Sequence, residues 1–412
     1  MSGSRSPDRD VATLVIGASM EGDARDIGPG IYMSADISNS YLVTSGDEGL
    51  VVNTGVEQNG GVHRSRYDRL TRAIRYVVLT QGHTDHYGGL QSFLGAGTEL
   101  ITDRKFPYEF VYWRYLHDYY RPRWDRLWGL VLQDKAPQYP TFPIEPDVLV
   151  DGQQRFMVGD RPFEVLATPG GETRDSVCVW LPDDGVVFTG NLFGPAWQVV
   201  PNLNPIRTEK PRSASEYIRS AERVLSLDAE MLVTGHGEPI RGAAQVREGV
   251  TKLRDAVRHL HDATVNGMNR GLTVHELMRE VTLPPALALA ETYGKVSWAV
   301  RTIYEEYTGW FHQSYTSRMY DVPVESVYGD LVALAGIDAV AAAARAHLES
   351  GQILPALHLA EIILVVEPGH EAADAVRVAV LEQLLDQAVS TTNNLNEVMW
   401  LRSELHAART RT

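Results

Sequence analysis

Ten consecutive residues decide the fold class of this chain: Thr80-Gln81-Gly82-His83-Thr84-Asp85-His86-Tyr87-Gly88-Gly89. They directly follow the apolar run Tyr76-Val77-Val78-Leu79, which predicts a buried β-strand. The turn after a strand lies at its carboxyl end, where open α/β sheets place their functional sites. Imidazole and carboxylate groups are ligands of zinc-type ions. We therefore predict that His83, Asp85 and His86 belong to a metal site.

This loop resembles the signature loop of the metallo-β-lactamase superfamily, which reads Thr-His-x-His-x-Asp-His and is followed by Gly-Gly. Gln81 stands where the family has its first histidine, and the other positions match. The resemblance implies an α+β fold, in which an αββα metallo-β-lactamase sandwich carries the metal site. It also implies a metal-dependent hydrolase.

Two later motifs extend the resemblance. Thr168-Pro169-Gly170-Gly171-Glu172 is similar to the family's Thr-Pro-Gly-His motif, and the alkylsulfatase branch has glutamate at the ligand position. Gly235-His236-Gly237 follows an apolar run and matches the last metal histidine of the family. The resemblance therefore implies that Glu172 and His236 are ligands.

Two further positions depart from the family pattern. Asn191 stands where a carboxylate normally bridges two metal ions. Asn53 stands where an aspartate normally braces the metal loop, and an amide there can still donate and accept hydrogen bonds without carrying charge.

Taken together, the motifs imply two neighbouring metal sites. One would hold Gln81, His83 and Glu172, the other would hold Asp85, His86 and His236, and Asn191 would lie between them. A metal ion there would lower the pKa of bound water to about 7, and Asp85 and His86 are the expected catalytic residues. Because an amide oxygen is a weak zinc donor, we expect one tightly bound Zn²⁺ ion in the second site and a weakly bound ion in the first. Manganese and iron remain open alternatives.

The composition is that of an ordinary globular protein. The chain has 412 residues, of which 44% are hydrophobic and 22% charged, and its formal net charge is -15. That charge argues against nucleic-acid and membrane partners. Its one cysteine, Cys178, fits a reducing compartment, and residues 1–10 lack the apolar core of a signal peptide. We expect a cytoplasmic protein.

The second half of the chain is predicted to be helical. The stretches Asn266-Gly267-Met268-Asn269-Arg270 and Gly309-Trp310-Phe311 are similar to the middle region of linear alkylsulfatases. Residues 321–412 resemble the helical dimerisation domain of that branch, with Ala-rich seams like those of tetratricopeptide repeats. The resemblance implies a metal-binding domain at 1–241, a helical extension at 242–320 and a homodimer formed through 321–412. It also implies that the sterol-carrier-like domain of many members is missing.

Residues 106–128 form an unusual segment that holds ten of the chain's 35 aromatic residues, together with four arginines. Tyrosines 108, 112, 115 and 119 are spaced as on one helix face. A lid or channel wall for an amphiphilic substrate and plain structural packing both explain this pattern.

The expected substrate is a small anionic or amphiphilic ester, with a sulfate ester as the first choice. Asn202 and Arg207 have the spacing of the family's sulfate-binding segment, although Pro205 replaces a threonine between them. An arginine can grip two anionic oxygens at once. Tyr87 and Trp197 are further candidates for the pocket border, together with Arg174.

Two alternatives to an alkylsulfatase-type hydrolase remain open. The first is an enzyme of the same fold with an altered, one-ion site that hydrolyses lactones or amides or acts as a lyase. The second is a catalytically dead dimeric scaffold. Metal uptake separates the scaffold from both enzymes, and sulfate release separates the two enzymes.

Overall fold

The computed structural model describes residues 22–132, 144–203, 206 and 209–410. They form two compact units. The first contains residues up to 124 and 132–306, and the second contains 125–131 and 307–412. The sequence placed the last domain at 321–412, and that boundary stays a prediction. The apolar run at 11–16, which predicts a strand, lies outside the described residues.

The first unit is built on two β-sheets. The first sheet contains strands β1 to β7 in sequential order: Arg25–Gly28, Ile31–Ser34, Ser40–Ser45, Glu48–Val52, Ala73–Val78, Glu99–Asp103 and Val148–Val150. Strands β1 to β4 are antiparallel, whereas β4 to β7 run parallel. The second sheet has the order β13-β12-β11-β10-β9-β8, with β8 to β13 at Gln153–Val158, Arg161–Ala167, Val177–Leu181, Val186–Gly190, Met231–Thr234 and Ile240–Arg241.

The two sheets pack face to face through branched side chains. Val43 and Val78 of the first sheet belong to one buried cluster with Val165, Val179 and Phe188 of the second. Fully burying such side chains stabilises the fold by about 1.5–3 kcal/mol each. A second cluster covers the outer face of the second sheet and a third covers that of the first. The predicted αββα sandwich is therefore confirmed.

Helices cover both outer faces. The first sheet is covered by α1 to α3, at Gly60–Tyr67, Thr84–Tyr87 and Phe106–Tyr115, and α4 follows at His117–Leu132. The second sheet is covered by α5, α6 and α8, at Ala214–Leu225, Ala243–Asn269 and Val296–Thr308, with α7 at Val274–Glu280 between the last two.

One predicted helix is interrupted in the structure. The apolar residues of 284–307 have helical spacing, which predicts one helix, but only the short 3₁₀ turn Pro285–Leu287 and the later helix α8 are present. Pro284 and Pro285 cannot donate backbone hydrogen bonds inside a helix, and the backbone around Ala290 instead bonds to the segment at Gln198 and Val200.

The glycine pair after the metal loop is required by close packing. A Cβ atom on Gly89 would lie 2.3 Å from the carbonyl oxygen of Thr54, and one on Gly88 would lie 2.6 Å from the backbone nitrogen of Glu57. Any larger residue would therefore push the loop away from the end of β4.

The aromatic segment 106–128 combines packing and exposure. Phe106 and Phe110 stack on each other and contact Tyr87 edge to face in the core. Tyr108 and Tyr115, which lie on the predicted aromatic stripe, are 76% and 83% exposed. The stripe is therefore not the packed face of the helix.

The second unit is helical. Helices α9 to α13 are Tyr328–Ala335, Ile337–Glu349, Ile353–Val366, Glu371–Ser390 and Leu395–Arg409. Small residues such as Ala344, Ala356 and Ala360 let α10, α11 and α12 approach closely, as the Ala-rich seams predicted. Glu404 joins Arg377 to Arg126 of the same unit through ion pairs. Among the described residues, no single helix is long and apolar enough to cross a membrane; only the pair 324–335 and 337–349, bent by 100°, passes by length and composition.

Candidate metal centre

The metal loop leaves the carboxyl end of β5 and turns into the short helix α2. His83 is the residue before that helix and has an extended backbone, while Asp85 and His86 lie on its first turns. The backbone nitrogen of Thr54 donates to the carbonyl oxygen of His86 at 2.8 Å, which holds the helix against the end of β4. His86 is fully buried, and the Asp85 side chain is 22% exposed.

His236 reaches the same point from the second sheet. It follows β12, and its Nδ1 donates to the backbone oxygen of Ile37, which directs Nε2 toward the metal loop. Nε2 of His236 lies 3.6 Å from Asp85 Oδ2, and Nε2 of His86 lies 3.5 Å from the same oxygen. One ligand atom from each of these three residues lies within 4.8 Å of the others, a spacing that fits one divalent ion.

The protonation states of this cluster suit ligands. Burial lowers the pKa of His86 to about 4, although the Asp85 carboxylate opposes this shift. Burial works against ionisation of Asp85, but His86, His236 and His83 outweigh it and the pKa of Asp85 is lowered. At neutral pH the pair is therefore a neutral imidazole and a carboxylate, which are the forms that bind cations.

The loop that contains Ser38 and Asn39 contacts both His86 and His236, although no sequence motif marks it. Asn39 donates through its backbone and side chain to the carbonyl oxygens of Gly235 and Gly237, at 2.8 and 2.9 Å, on either side of His236. Ser38 Oγ lies 3.1 Å from Nδ1 of His86. The loop is fixed in turn by buried Asp36, which accepts from Asn59 Nδ2 and lies 3.2 Å from His63 Nε2.

The amide of Gln81 forms hydrogen bonds to two neighbouring loops. Its Oε1 accepts a 2.8 Å hydrogen bond from the backbone nitrogen of Asn191, and its Nε2 donates to Nδ1 of His83 at 2.9 Å. A backbone nitrogen can only donate, so the amide orientation is fixed. Gln81 therefore bridges two loops with its nitrogen facing His83, and its role as a metal ligand stays a prediction.

Asn191 lies between the two predicted sites, and its role as a bridging ligand stays a prediction. Its Nδ2 donates to Glu172 Oε2 at 3.0 Å and to His236 Nε2 at 3.1 Å. Because a carboxylate can only accept, the nitrogen must face Glu172. The amide of Asn191 thus lies between the two predicted sites as a hydrogen-bond donor.

Glu172 is buried among protein donors. Besides Asn191, the hydroxyl of Tyr293 donates to its Oε1, and the Arg212 guanidinium lies 3.8 Å from the same oxygen. His83 Nδ1 lies 3.4 Å from Oε2. The predicted first site is thus a hydrogen-bonded network in which the carboxylate charge is already compensated by side chains.

Tyr293 and Arg212 also belong to this network, although no sequence motif marks either residue. Tyr293 lies 121 residues from Glu172 along the chain. Arg212 lies in a loop without a motif, where it also pairs with Glu209.

Two adjoining cavities open beside the network. A small one of about 20 Å³ is lined by His83, Glu172 and Lys210, among others. A larger one of about 800 Å³ is lined by Lys105, Tyr108 and Arg219, among others. Arg174 and Arg212 line both cavities, so Arg174 borders the pocket as the sequence suggested.

The other predicted substrate residues are placed as follows. Tyr87 is fully buried against Phe106 and Phe110, and Trp197 packs edge to face on Phe193, so contacts with the protein core account for both. Asn202 is 4% exposed, and its backbone oxygen accepts from Arg212. Arg207 lies outside the described residues, and its role stays a prediction.

Asn53 lies directly against the metal loop, as predicted. Its Oδ1 accepts from the backbone nitrogen of Thr80 at 2.9 Å, and its Nδ2 lies 2.9 Å from Nδ1 of His86. It adopts φ = 59°, a left-handed conformation in which asparagine and aspartate are enriched.

Comparisons with known proteins agree with this architecture. The family model of the metallo-β-lactamase superfamily matches residues 33–236, and the model of the alkyl sulfatase dimerisation domain matches residues 273–401. A linear primary-alkylsulfatase of a Pseudomonas species is 29% identical over 293 residues, which are 64% of this chain and 54% of that protein. An alkyl/aryl-sulfatase of Saccharomyces cerevisiae is 22% identical over 87% of this chain and 59% of its own length.

A solved structure has the same fold. The stereoselective inverting sec-alkylsulfatase Pisa1 from Pseudomonas sp. superimposes with a TM-score of 0.80 at 21% identity, over 94% of this chain and 65% of that protein. The chain thus spans between about half and two thirds of the length of these proteins. The chain thus contains a metallo-β-lactamase superfamily domain at residues 33–236, followed by an alkylsulfatase dimerisation domain at residues 273–401.

Proposed function

We propose that the protein is a metal-dependent hydrolase that cleaves a small anionic ester, with an alkyl sulfate as the first candidate. The observation that carries this proposal is the convergence of Asp85, His86 and His236, from two different sheets, to within the span of one ion. The names of the alkylsulfatase relatives supply the substrate class.

The donor set suits Zn²⁺, with Mn²⁺ and Fe²⁺ as alternatives, because it combines two imidazoles with one carboxylate. A bound ion would supply Lewis-acid activation of water and of the ester oxygen. The chain's own contribution is positioning. Ile37 and Asn39 fix His236, and the end of β4 fixes the helix that carries Asp85 and His86.

The cavities favour an anionic substrate. Arg174 lines both of them, and among the described residues its side chain has no charged or hydrogen-bonding partner. Lys210, by contrast, is held by Glu109 at 2.9 Å, and Arg212 is held by Glu209. An unpaired guanidinium can bind two oxygens of a sulfate at once. Arg174 is therefore the proposed anion contact.

The network around Glu172 favours a second candidate function, a one-ion enzyme with a different reaction. Gln81 and Asn191 both present amide hydrogens where a two-ion centre needs lone pairs. Such a site would suit lactone or amide hydrolysis or a lyase reaction, in which one ion suffices. Assays with alkyl sulfates, lactones and amides on the same zinc-loaded preparation separate the candidates.

The helical unit is proposed to form a homodimer. The family model of the alkyl sulfatase dimerisation domain matches residues 273–401, which include most of this unit. The unit also exposes large apolar side chains, among them Leu331, which is 51% exposed, and Leu334, which is 86% exposed. Sedimentation analysis that finds a monomer at micromolar concentration would contradict this proposal. A cytoplasmic location, suggested by the single cysteine, is likewise proposed and is testable by cell fractionation.

Sulfate release from primary and secondary alkyl sulfates tests the main proposal. The zinc-loaded wild type should release sulfate, His236→Ala should lose at least about 100-fold of the rate, and His358→Ala should match the wild type because that histidine is exposed. Zinc uptake without sulfate release would favour the second candidate. A wild type that takes up no ion would favour the scaffold.

A further inference from the structure

The orientation of the Asn53 amide determines which ring nitrogen of His86 carries hydrogen. Oδ1 of Asn53 accepts from the backbone nitrogen of Thr80 at 2.9 Å and lies 3.1 Å from the Thr80 hydroxyl. A backbone nitrogen can only donate, so the oxygen of the amide must face Thr80. The NH₂ group is then left facing His86.

That NH₂ group lies 2.9 Å from Nδ1 of His86. An amide nitrogen donates and does not accept, so Nδ1 must offer its lone pair. The hydrogen of the neutral imidazole is then on Nε2. Ser38 Oγ lies 3.1 Å from Nδ1 and 3.4 Å from Nε2 of His86. Because a hydroxyl can donate or accept, this position is compatible with either tautomer.

Nε2 is also the atom of His86 that faces Asp85, with which His86 and His236 form the candidate metal centre. His236 has the opposite arrangement, since its Nδ1 donates to the carbonyl oxygen of Ile37 and its Nε2 keeps a lone pair. The two histidines of the centre thus hold different tautomers: Nε2 of His236 has a lone pair, which accepts from Asn191, whereas Nε2 of His86 carries hydrogen.

We propose that Asn53 is a positioning residue that holds His86 as the Nε2–H tautomer, so that the centre binds a cation only after His86 changes tautomer. In that change the proton leaves Nε2 and a proton is taken up at Nδ1, without net release, and the hydrogen bond from Asn53 is lost. The inference rests on the proposed function in one respect, namely that the ligand of this centre is a divalent metal ion.

The decisive variant is Asn53→Asp. Aspartate has nearly the same shape and tolerates the left-handed backbone at this position. One carboxylate oxygen can still accept from Thr80, while the other can accept from Nδ1–H of His86. The variant should therefore reverse the tautomer of His86 and tighten zinc binding by about 10- to 100-fold.

The tautomer is read by two-bond ¹H–¹⁵N correlation spectra of histidine-labelled, metal-free protein, with the His86 signal assigned through His86→Gln. We expect Nε2–H in the wild type and Nδ1–H in Asn53→Asp. Asn191→Asp adds the same charge beside His236 without reaching Nδ1 of His86, and it should leave the tautomer unchanged. Zinc affinity is measured in parallel by competition with a chelating dye.

Nδ1–H in the wild-type spectrum would overturn the proposal even if the variant fails to fold. An Asn53→Asp protein that keeps Nε2–H, or that binds zinc no more tightly than the wild type, would overturn it as well. The spectra need neither metal nor substrate, so an absence of hydrolase activity would count against the proposed function and not against the tautomer assignment.

Discussion

The side-chain nitrogen of Asn191 lies 3.0 Å from a carboxylate oxygen of Glu172 and donates a hydrogen bond to it. The same nitrogen lies 3.1 Å from Nε2 of His236. One amide therefore joins the loop after β9 to the loop after β12, two loops that a bridging cation would otherwise hold. Hydrogen bonds between side chains therefore stabilise this half of the centre.

Replacing that amide with a carboxylate should make stability depend on metal. Asn191→Asp removes the donor to Glu172 and adds a like charge beside it, which should cost about 1–3 kcal/mol in metal-free protein. Zinc should recover most of this loss, because two carboxylates and His236 can then share a cation. Thermal unfolding with a chelator and with zinc measures both effects.

The matched control is Asn266→Asp, an exposed position on α6. It should unfold like the wild type under both conditions. Equal unfolding temperatures of Asn191→Asp with chelator and with zinc would show that this position does not face an ion.

The hydroxyl of Tyr293 is expected to stabilise the fold through Glu172. Tyr293→Phe leaves the ring in place but removes a donor to a buried carboxylate. We expect a loss of about 1–3 kcal/mol in the free energy of unfolding. Urea denaturation measures it, with Tyr108→Phe, which is 76% exposed, as the control. A Tyr293→Phe protein as stable as the control would mean that Arg212 and Asn191 suffice to compensate Glu172.

Asp175 should make stability depend on pH. Burial raises the pKa of this carboxyl from 3.8 to about 6 in the folded state. The unfolded chain then loses its proton at lower pH than the folded protein, so stability falls as the pH rises from about 4 to 6 and stays reduced above that range. Asp175→Asn should remove this fall and should be more stable than the wild type at pH 7, by up to about 3 kcal/mol.

Denaturation curves at pH 4 and pH 7 provide the comparison. The stability difference between Asp175→Asn and the wild type should shrink toward pH 4. A difference that is the same at both pH values would mean that Asp175 titrates alike in the folded and unfolded states.

The sequence predicted the sandwich and the converging loops because both depend on local patterns. At Val78 and His83, an apolar strand is followed directly by ligand residues. This pattern places the ligands at the edge of a sheet, independently of the sequence that comes after them. The same holds for Val233 and His236. Two such patterns in one chain define a centre once the face-to-face packing of the two sheets brings the edges together.

The contacts inside the centre could not be predicted in the same way. Tyr293 reaches Glu172 across 121 residues, and Ile37 reaches His236 across 199 residues. Neither position carries a local signal. The roles of Gln81 and Asn191 depend on which backbone nitrogen or carboxylate each amide meets, and only the folded backbone determines that.

Metal content tests the central claim most directly. After incubation with zinc and dialysis, elemental analysis of the wild type should find one tightly held ion per chain, lost in His236→Ala and kept in His358→Ala. A wild type that retains no more zinc than His236→Ala would show that Asp85, His86 and His236 do not form a metal centre, and it would contradict the proposed hydrolase.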